Sequence, residues 1–461
     1  MSSIQQTFSP IDGSLVVERA HATDHQIAEV LQKARFTQVT WKKVPISERV
    51  AICRRFIEIM RGRKDVLGEE ITRQMGRPIR YTPNEINGMS DRVAYMCEIA
   101  EETLATIELP AISGFKRFIR REPLGVVFSI APWNYPYLTA VNSVIPAILA
   151  GNTVILKHSH QTPLCAERIG EGLAQAGLPD GVFQYLHLTY HDTDRIIRSP
   201  EVNYVAFTGS VSAGHSVTHS AADKFIGLGL ELGGKDPAYV RADANLTFAA
   251  ENLVDGAFFN SGQSCCGIER IYVHSDLYED FVKEAVSVTN EYVLGDPLNP
   301  ITTLGPLVKL SAANFVRQQI EEAELAGAKL LIDESRFPNS VLETPYLAPQ
   351  ILVDVDHSMS VMRDESFGPV VGIMRVESDE EAIRLMNDSE FGLTASVWTT
   401  DMDAAIRIGD EIETGTVFMN RCDYLDPALA WTGVKDTGRG CTLSKIGYEH
   451  LTRPKSFHLR S

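Results

Sequence analysis

Residues 125–157 read GVVFSIAPWNYPYLTAVNSVIPAILAGNTVILK. Gly125–Ile130 is a short run of apolar residues and predicts a buried strand. A proline-flanked turn and a long apolar stretch, Tyr137–Ala150, follow. Val154–Lys157 then predicts a second buried strand. Short, non-alternating apolar runs of this kind belong to parallel sheets covered on both faces. The pattern continues downstream. Strands are predicted at Val182–Leu188, Tyr204–Thr208 and Phe225–Leu232, with helices at Pro163–Ala176, Asp192–Arg198 and Ser212–Ala222 between them. From about Asp236 a second alternating block begins and runs through Ala238–Arg241, Arg270–Val273, Gln350–Val353, Val370–Arg375, Ala395–Thr399 and Thr416–Met419. The fold class is therefore α/β, with two lobes of βαβ units.

Upstream, the texture is helical. His25–Phe36, Ile46–Arg61, Lys64–Met75 and Asn84–Thr106 carry apolar residues at three- and four-residue steps, and Gly76-Arg77-Pro78 breaks the last pair. Phe115–Arg121 and Pro454–Arg460 read as charged strands with exposed edges. Such edges need a partner strand, so a homodimer or homotetramer is expected.

The 461 residues suit about three structural units at ~150 residues each. With 60 Asp and Glu against 43 Lys and Arg, the formal net charge is −17. That surface disfavours nucleic acid and anionic membranes as partners. The polar start, MSSIQQTFSP, lacks the basic and apolar regions of a secretory signal, and Tyr137–Ala150 is too short and broken to span a bilayer. Seven cysteines without disulfide-module spacing point to a reducing, cytoplasmic setting, and no metal-ligand pattern is present.

Four short motifs carry chemistry. In Asn260-Ser261-Gly262-Gln263-Ser264-Cys265-Cys266 a glycine-containing loop between helix and strand presents a thiol. It is a nucleophile if its environment favours the thiolate, and an inert buried pair otherwise. Glu231, in Leu230-Glu231-Leu232-Gly233-Gly234-Lys235, sits at an apolar strand end. It reads as a desolvated general base or as the partner of Lys235 in a structural ion pair. Asn134, in Pro132-Trp133-Asn134-Tyr135-Pro136, is an oxyanion donor or a turn residue. Phe207-Thr208-Gly209-Ser210 suits a phosphate at a helix N-terminus, although strand–turn–helix units with glycines are common.

Taken in order, Asn134, Lys157, Thr208-Gly209-Ser210, Glu231, Cys265 and Glu365-Ser366-Phe367-Gly368-Pro369 resemble the aldehyde dehydrogenase superfamily over nearly the whole chain. The resemblance implies a non-acylating enzyme that uses NAD or NADP. Cys265 would be the nucleophile, Asn134 an oxyanion donor and Glu231 the base that releases the acid. Trp133, Lys157, His160, Gly209, Ser210, Glu365 and Phe367 would meet the cofactor. It further implies a Rossmann-like cofactor domain (1–109 and 129–232), a catalytic domain (233–431) and a small β oligomerisation element (110–128 and 432–461).

The chain departs from the family pattern in instructive places. His160 stands where many NAD-preferring members carry Glu, which leaves both cofactors open. Ala430-Trp431-Thr432-Gly433 replaces PFGG, and Trp431 is expected to form one wall of the substrate entrance. Cys441-Thr442 follows Gly440 where GRE is common, so the burden of base catalysis falls on Glu231. Semialdehyde-acid members usually place Arg eight positions beyond the Asn; here that residue is Asn142. With Leu138 beside it and Arg421 as the remaining anion clamp, or a surface partner of Asp423, a neutral aliphatic or aromatic aldehyde is expected. Succinate semialdehyde is the alternative. A coenzyme A-acylating enzyme and a crystallin-like, non-catalytic protein are rivals that Glu231 in its ELGGK setting disfavours.

Overall fold

The computed structural model describes residues 3–461. Met1 and Ser2, the start of the segment assigned to the cofactor domain, lie outside the described residues. Two sheets organise the chain. The first has six strands in the order Gly438–Arg439, Gly227–Glu231, Val202–Thr208, Val126–Ala131, Thr153–His158 and Phe183–Tyr185. All neighbours are parallel except the Gly438–Arg439 edge. The second has seven strands, in the order Lys329–Leu330, Gln350–Val353, Val370–Val376, Ile268–His274, Asp236–Val240, Thr394–Trp398 and Thr416–Met419.

Register explains how the first sheet assembles a site. Ile130 pairs with both Lys157 and Phe207, and Thr208 pairs with Glu231. The carboxyl ends of four parallel strands therefore lie along one rim, where ligands settle in open α/β sheets. Helices Ile46–Arg61, Lys64–Met75, Thr82–Thr103 and Pro136–Ala150 cover one face. Phe56, Met60, Leu67, Ile71, Met89, Ile145 and Leu149 are each fully buried there.

The Pro136–Ala150 helix carries proline at its first turn and ends at Gly151, whose φ of 92° glycine adopts freely. Its exposed N-terminal amides are satisfied by a carboxylate from another helix: Glu85 Oε1 accepts from Tyr137 N at 2.8 Å and Leu138 N at 3.3 Å.

The third sheet is small. Thr452–Arg460 pairs antiparallel with Phe115–Pro123, which pairs in turn with Ile107–Glu108. Phe118 stacks on Phe457 at 4.5 Å between centroids. The outer edge of Thr452–Arg460 has no strand beside it among the described residues.

The tail differs from the sequence expectation. Gly438–Arg439 joins the first sheet, and Leu443, Tyr448 and Leu451 are buried in the first lobe's core. Tyr448 donates to Met96 O at 2.7 Å. Of residues 432–461, only the terminal strand belongs to the small β element. An N-terminal hairpin, Ile4–Phe8 with Leu15–Ala20, is also present that periodicity did not reveal.

Candidate active site

The Leu246–Phe258 helix ends in a turn unlike its surroundings. Asn260, Ser261 and Gly262 all have positive φ, at 53°, 57° and 73°. Two consecutive non-glycine residues in this region are strained, so neighbours must hold them. Asn260 donates to Asn134 O at 3.3 Å and Gln263 O at 3.1 Å, and accepts from Arg77 Nε at 3.1 Å. Ser261 donates to Gly305 O at 2.8 Å, and Gln263 Oε1 accepts from Val308 N at 2.8 Å. A Cβ on Gly262 would collide with the carbonyl of Gly368. The motif is thus a scaffold that fixes Cys265, which is half-buried, at its far end.

Asn134 is 5% exposed and donates through Nδ2 to Gln263 O at 3.2 Å. One amide hydrogen is thereby used and the second is left. Its own carbonyl accepts from Arg77, which also pairs with Glu85 at 2.5 Å. Arg77 was read only as part of a helix break. Its role in tying Asn134 to the Cys265 loop depends on contacts 57 and 183 residues away in the chain.

Glu231 accepts from Thr442 Oγ1 at 2.5 Å and from Thr208 Oγ1 at 3.3 Å. Burial raises its pKa above the ordinary carboxylate value, while the two hydroxyls and the charge of Arg92 oppose that rise. Lys235 is not its partner. Lys235 pairs with Glu269 at 2.5 Å, and Glu269 also receives Ser366 N at 2.8 Å and Phe367 N at 3.0 Å.

Glu231 and Cys265 line one cavity of 260 Å³ together with Arg92, Leu138, Asn142 and Trp431. Trp431 also forms a two-way backbone bridge with Thr442, at 2.9 Å in each direction, which joins the cavity wall to the hydroxyl that holds Glu231. A second cavity of 20 Å³, room for about one water, also touches Glu231. Arg421 is elsewhere. It is exposed, lies over the Tyr424 ring at 3.3 Å and does not line the cavity, so it is no anion clamp. Nor does it pair with Asp423, which instead accepts from Cys266 Sγ at 3.0 Å and Ser264 Oγ at 3.1 Å. Burial pushes the Asp423 carboxyl up to about 6. The hydrogen bond with Cys265, burial and the charge of Asp423 raise the Cys266 thiol well above its usual pKa.

The cofactor candidates lie on the rim of the first sheet and on the facing loop. Lys157 is 6% exposed and has a single acceptor among the described residues, His158 O at 3.3 Å. Burial lowers its pKa to about 8. His160 donates through Nε2 to Leu188 O at 2.8 Å, and its ring lies 5.7 Å from that of His21 and 5.5 Å from that of Tyr190. Burial, then the charge of Lys157, lowers its pKa. Ser210 caps the Val211–Ser220 helix, and Gly209 N donates to Glu231 O at 3.0 Å. Glu365 accepts from Gly234 N at 3.0 Å; burial and the nearby Glu269 push its carboxyl up to about 8. A Cβ on Gly233 would meet that carboxylate. Trp133 and Phe367 meet edge to face at 5.7 Å. An under-satisfied buried ammonium, a helix N-terminus and a poised carboxylate fit the hydroxyls and phosphates of a dinucleotide.

The aldehyde dehydrogenase family model matches residues 2–457. A protein of Mycobacterium tuberculosis named succinate-semialdehyde dehydrogenase [NADP(+)] 1 is 32% identical, with 98% of each chain covered. A probable betaine aldehyde dehydrogenase of Schizosaccharomyces pombe is 31% identical over 97% of this chain and 90% of the relative. Among solved structures, the NADP-dependent glyceraldehyde-3-phosphate dehydrogenase of Bacillus halodurans complexed with NADP superposes with a TM-score of 0.93, at 31% identity, covering 99% of this chain and 96% of the other. The chain belongs to the aldehyde dehydrogenase family.

Proposed function

We propose that this protein oxidises an aldehyde to the carboxylic acid with NAD or NADP, using Cys265, Asn134 and Glu231. The observation that carries the reading is the shared cavity: a half-buried thiol and a carboxylate of raised pKa face the same space, and the Asn134 amide borders the thiol's loop.

The Cys265 thiol gives its proton to solvent and Sγ adds to the aldehyde carbon, whose carbonyl π electrons move onto the oxygen to give a thiohemiacetal oxyanion. The free amide hydrogen of Asn134 and the backbone N–H of Cys265 steady the developing oxyanion. A bound nicotinamide would supply the acceptor for the hydride that this carbon releases as the oxyanion re-forms its carbonyl, which would leave a thioester on Cys265. Glu231 takes a proton from water, the hydroxide adds to the thioester carbonyl, and the Cys265 sulfur leaves and is reprotonated. Burial suits Glu231 to this task because a carboxylate of raised pKa is a stronger base. Lys157, His160, Gly209, Ser210, Glu365, Phe367 and Trp133 would hold the dinucleotide.

A buried base beside the nucleophile favours hydrolysis over acyl transfer to coenzyme A. A steady-state panel of aldehydes with each cofactor tests the reading. Reduced cofactor and free acid should appear together, and Cys265→Ala should abolish both. Acyl-coenzyme A as the product would replace this account with the acylating one.

We also assign homo-oligomer formation, as a dimer or tetramer, to the open edge of Thr452–Arg460, and a cytoplasmic setting on the basis of seven free thiols.

A further inference from the structure

We infer that Arg92 selects aldehydes that carry an anionic group a few bonds from the carbonyl. This rests on the aldehyde-oxidising reading and deepens it.

Arg92 sits on the Thr82–Thr103 helix, within the stripe formed by Ile86, Met89, Val93 and Met96, all 0–1% exposed. An arginine on such a stripe is costly unless something compensates its charge. Nothing among the described residues does so fully. Arg92 is 9% exposed and makes no ion pair among the described residues. Its neighbour Asp91 is taken by Arg61, at 2.8 Å. Nη1 donates to Leu138 O at 3.0 Å and Asn142 Oδ1 at 3.1 Å. Nε and Nη2 have no partner among the described residues, and neither is fully enclosed. The guanidinium borders the same cavity as Cys265 and Glu231.

The contact with Asn142 gives this position its meaning. A neutral substrate was expected because Asn142 replaces an arginine on the Pro136–Ala150 helix. Here a cation reaches that place from the adjacent helix, with Asn142 as its rest. Leu138 and Asn142 lie about 3 and 9 Å along the helix axis from Pro136, at 1.5 Å per residue. Asn134 stands just before that helix. An aldehyde held at Cys265 would therefore present a distal carboxylate, phosphate or sulfonate to the two unused faces of the fork.

The experiment compares kcat/KM for succinate semialdehyde, glyceraldehyde 3-phosphate and the neutral methyl ester of succinate semialdehyde. It uses the full-length wild type, R92K and R92M, with calorimetric binding of succinate as a readout independent of turnover. Wild type should favour an anionic aldehyde over the ester by about 10- to 100-fold, chiefly through KM. R92M should collapse that ratio and lose succinate binding, and R92K should retain part of each. The carboxylate and phosphate arms identify which anion is taken. No anionic preference in the wild type overturns the inference while leaving aldehyde oxidation intact. So does an R92M variant that slows all substrates equally through kcat with the acidic limb of the pH profile displaced, since Arg92 would then act only on Glu231. Failure of the wild type to oxidise any aldehyde sinks the underlying reading instead.

Discussion

Glu231 is poised by opposing effects on one carboxylate. Burial raises its pKa above the ordinary 4.5, and hydrogen bonds from Thr442 and Thr208 restrain the rise. The base works only when ionised. Thioester hydrolysis should therefore fall as pH drops through a value above 4.5. Thr442→Val removes a donor that stabilises the carboxylate, so the acidic limb of the hydrolysis rate should move to higher pH. A limb that stays in place would show that Thr442 does not tune the base. At this scale the sequence was legible where chemistry concentrates in motifs: the peptides around Asn134, Glu231 and Cys265 pointed to a common chemistry. Arg92 was not read from its helix, although a charge at the centre of an apolar stripe was the available signal. Thr442 could be noted only as a departure, because its contact with Glu231 crosses 211 residues of chain.

Elements show the same division. The Ile46–Arg61 and Lys64–Met75 helices have the bounds that their periodicity predicts, because apolar spacing is local. The loop that carries Cys265 is set by distant partners, and its left-handed turn cannot be read from periodicity. Gly262→Ala should therefore destabilise the protein by at least about 1–3 kcal/mol, through backbone strain and the collision with Gly368 O. Chemical denaturation would measure it; an unchanged midpoint would mean the loop relaxes freely. Arg77→Met breaks a buried ion pair and the link to Asn134, with an expected cost of about 3–5 kcal/mol. A double-mutant cycle with Glu85→Gln checks whether that loss belongs to the pair.

For the whole molecule, the alternation of strands and helices was enough to reveal two α/β lobes, since parallel sheets impose it directly. The path of the tail was not. Residues 438–451 return to the first lobe through Gly438–Arg439 and Tyr448, and no local pattern announces a strand that short. We propose that the terminal strand's edge, which has no strand beside it among the described residues, joins two or four chains. Sedimentation equilibrium at micromolar protein should give a multiple of the 51.0 kDa chain mass; a monomer would leave that edge without the role assigned to it.

The most direct test of the central claim uses Glu231→Gln under single-turnover conditions. Aldehyde and oxidised cofactor should give a burst of reduced cofactor near one equivalent per chain, followed by a stall. Intact-mass and peptide analysis of the quenched protein should find the acyl group on Cys265. Steady turnover without a burst, or an acyl group on Cys266 or elsewhere, would contradict the account.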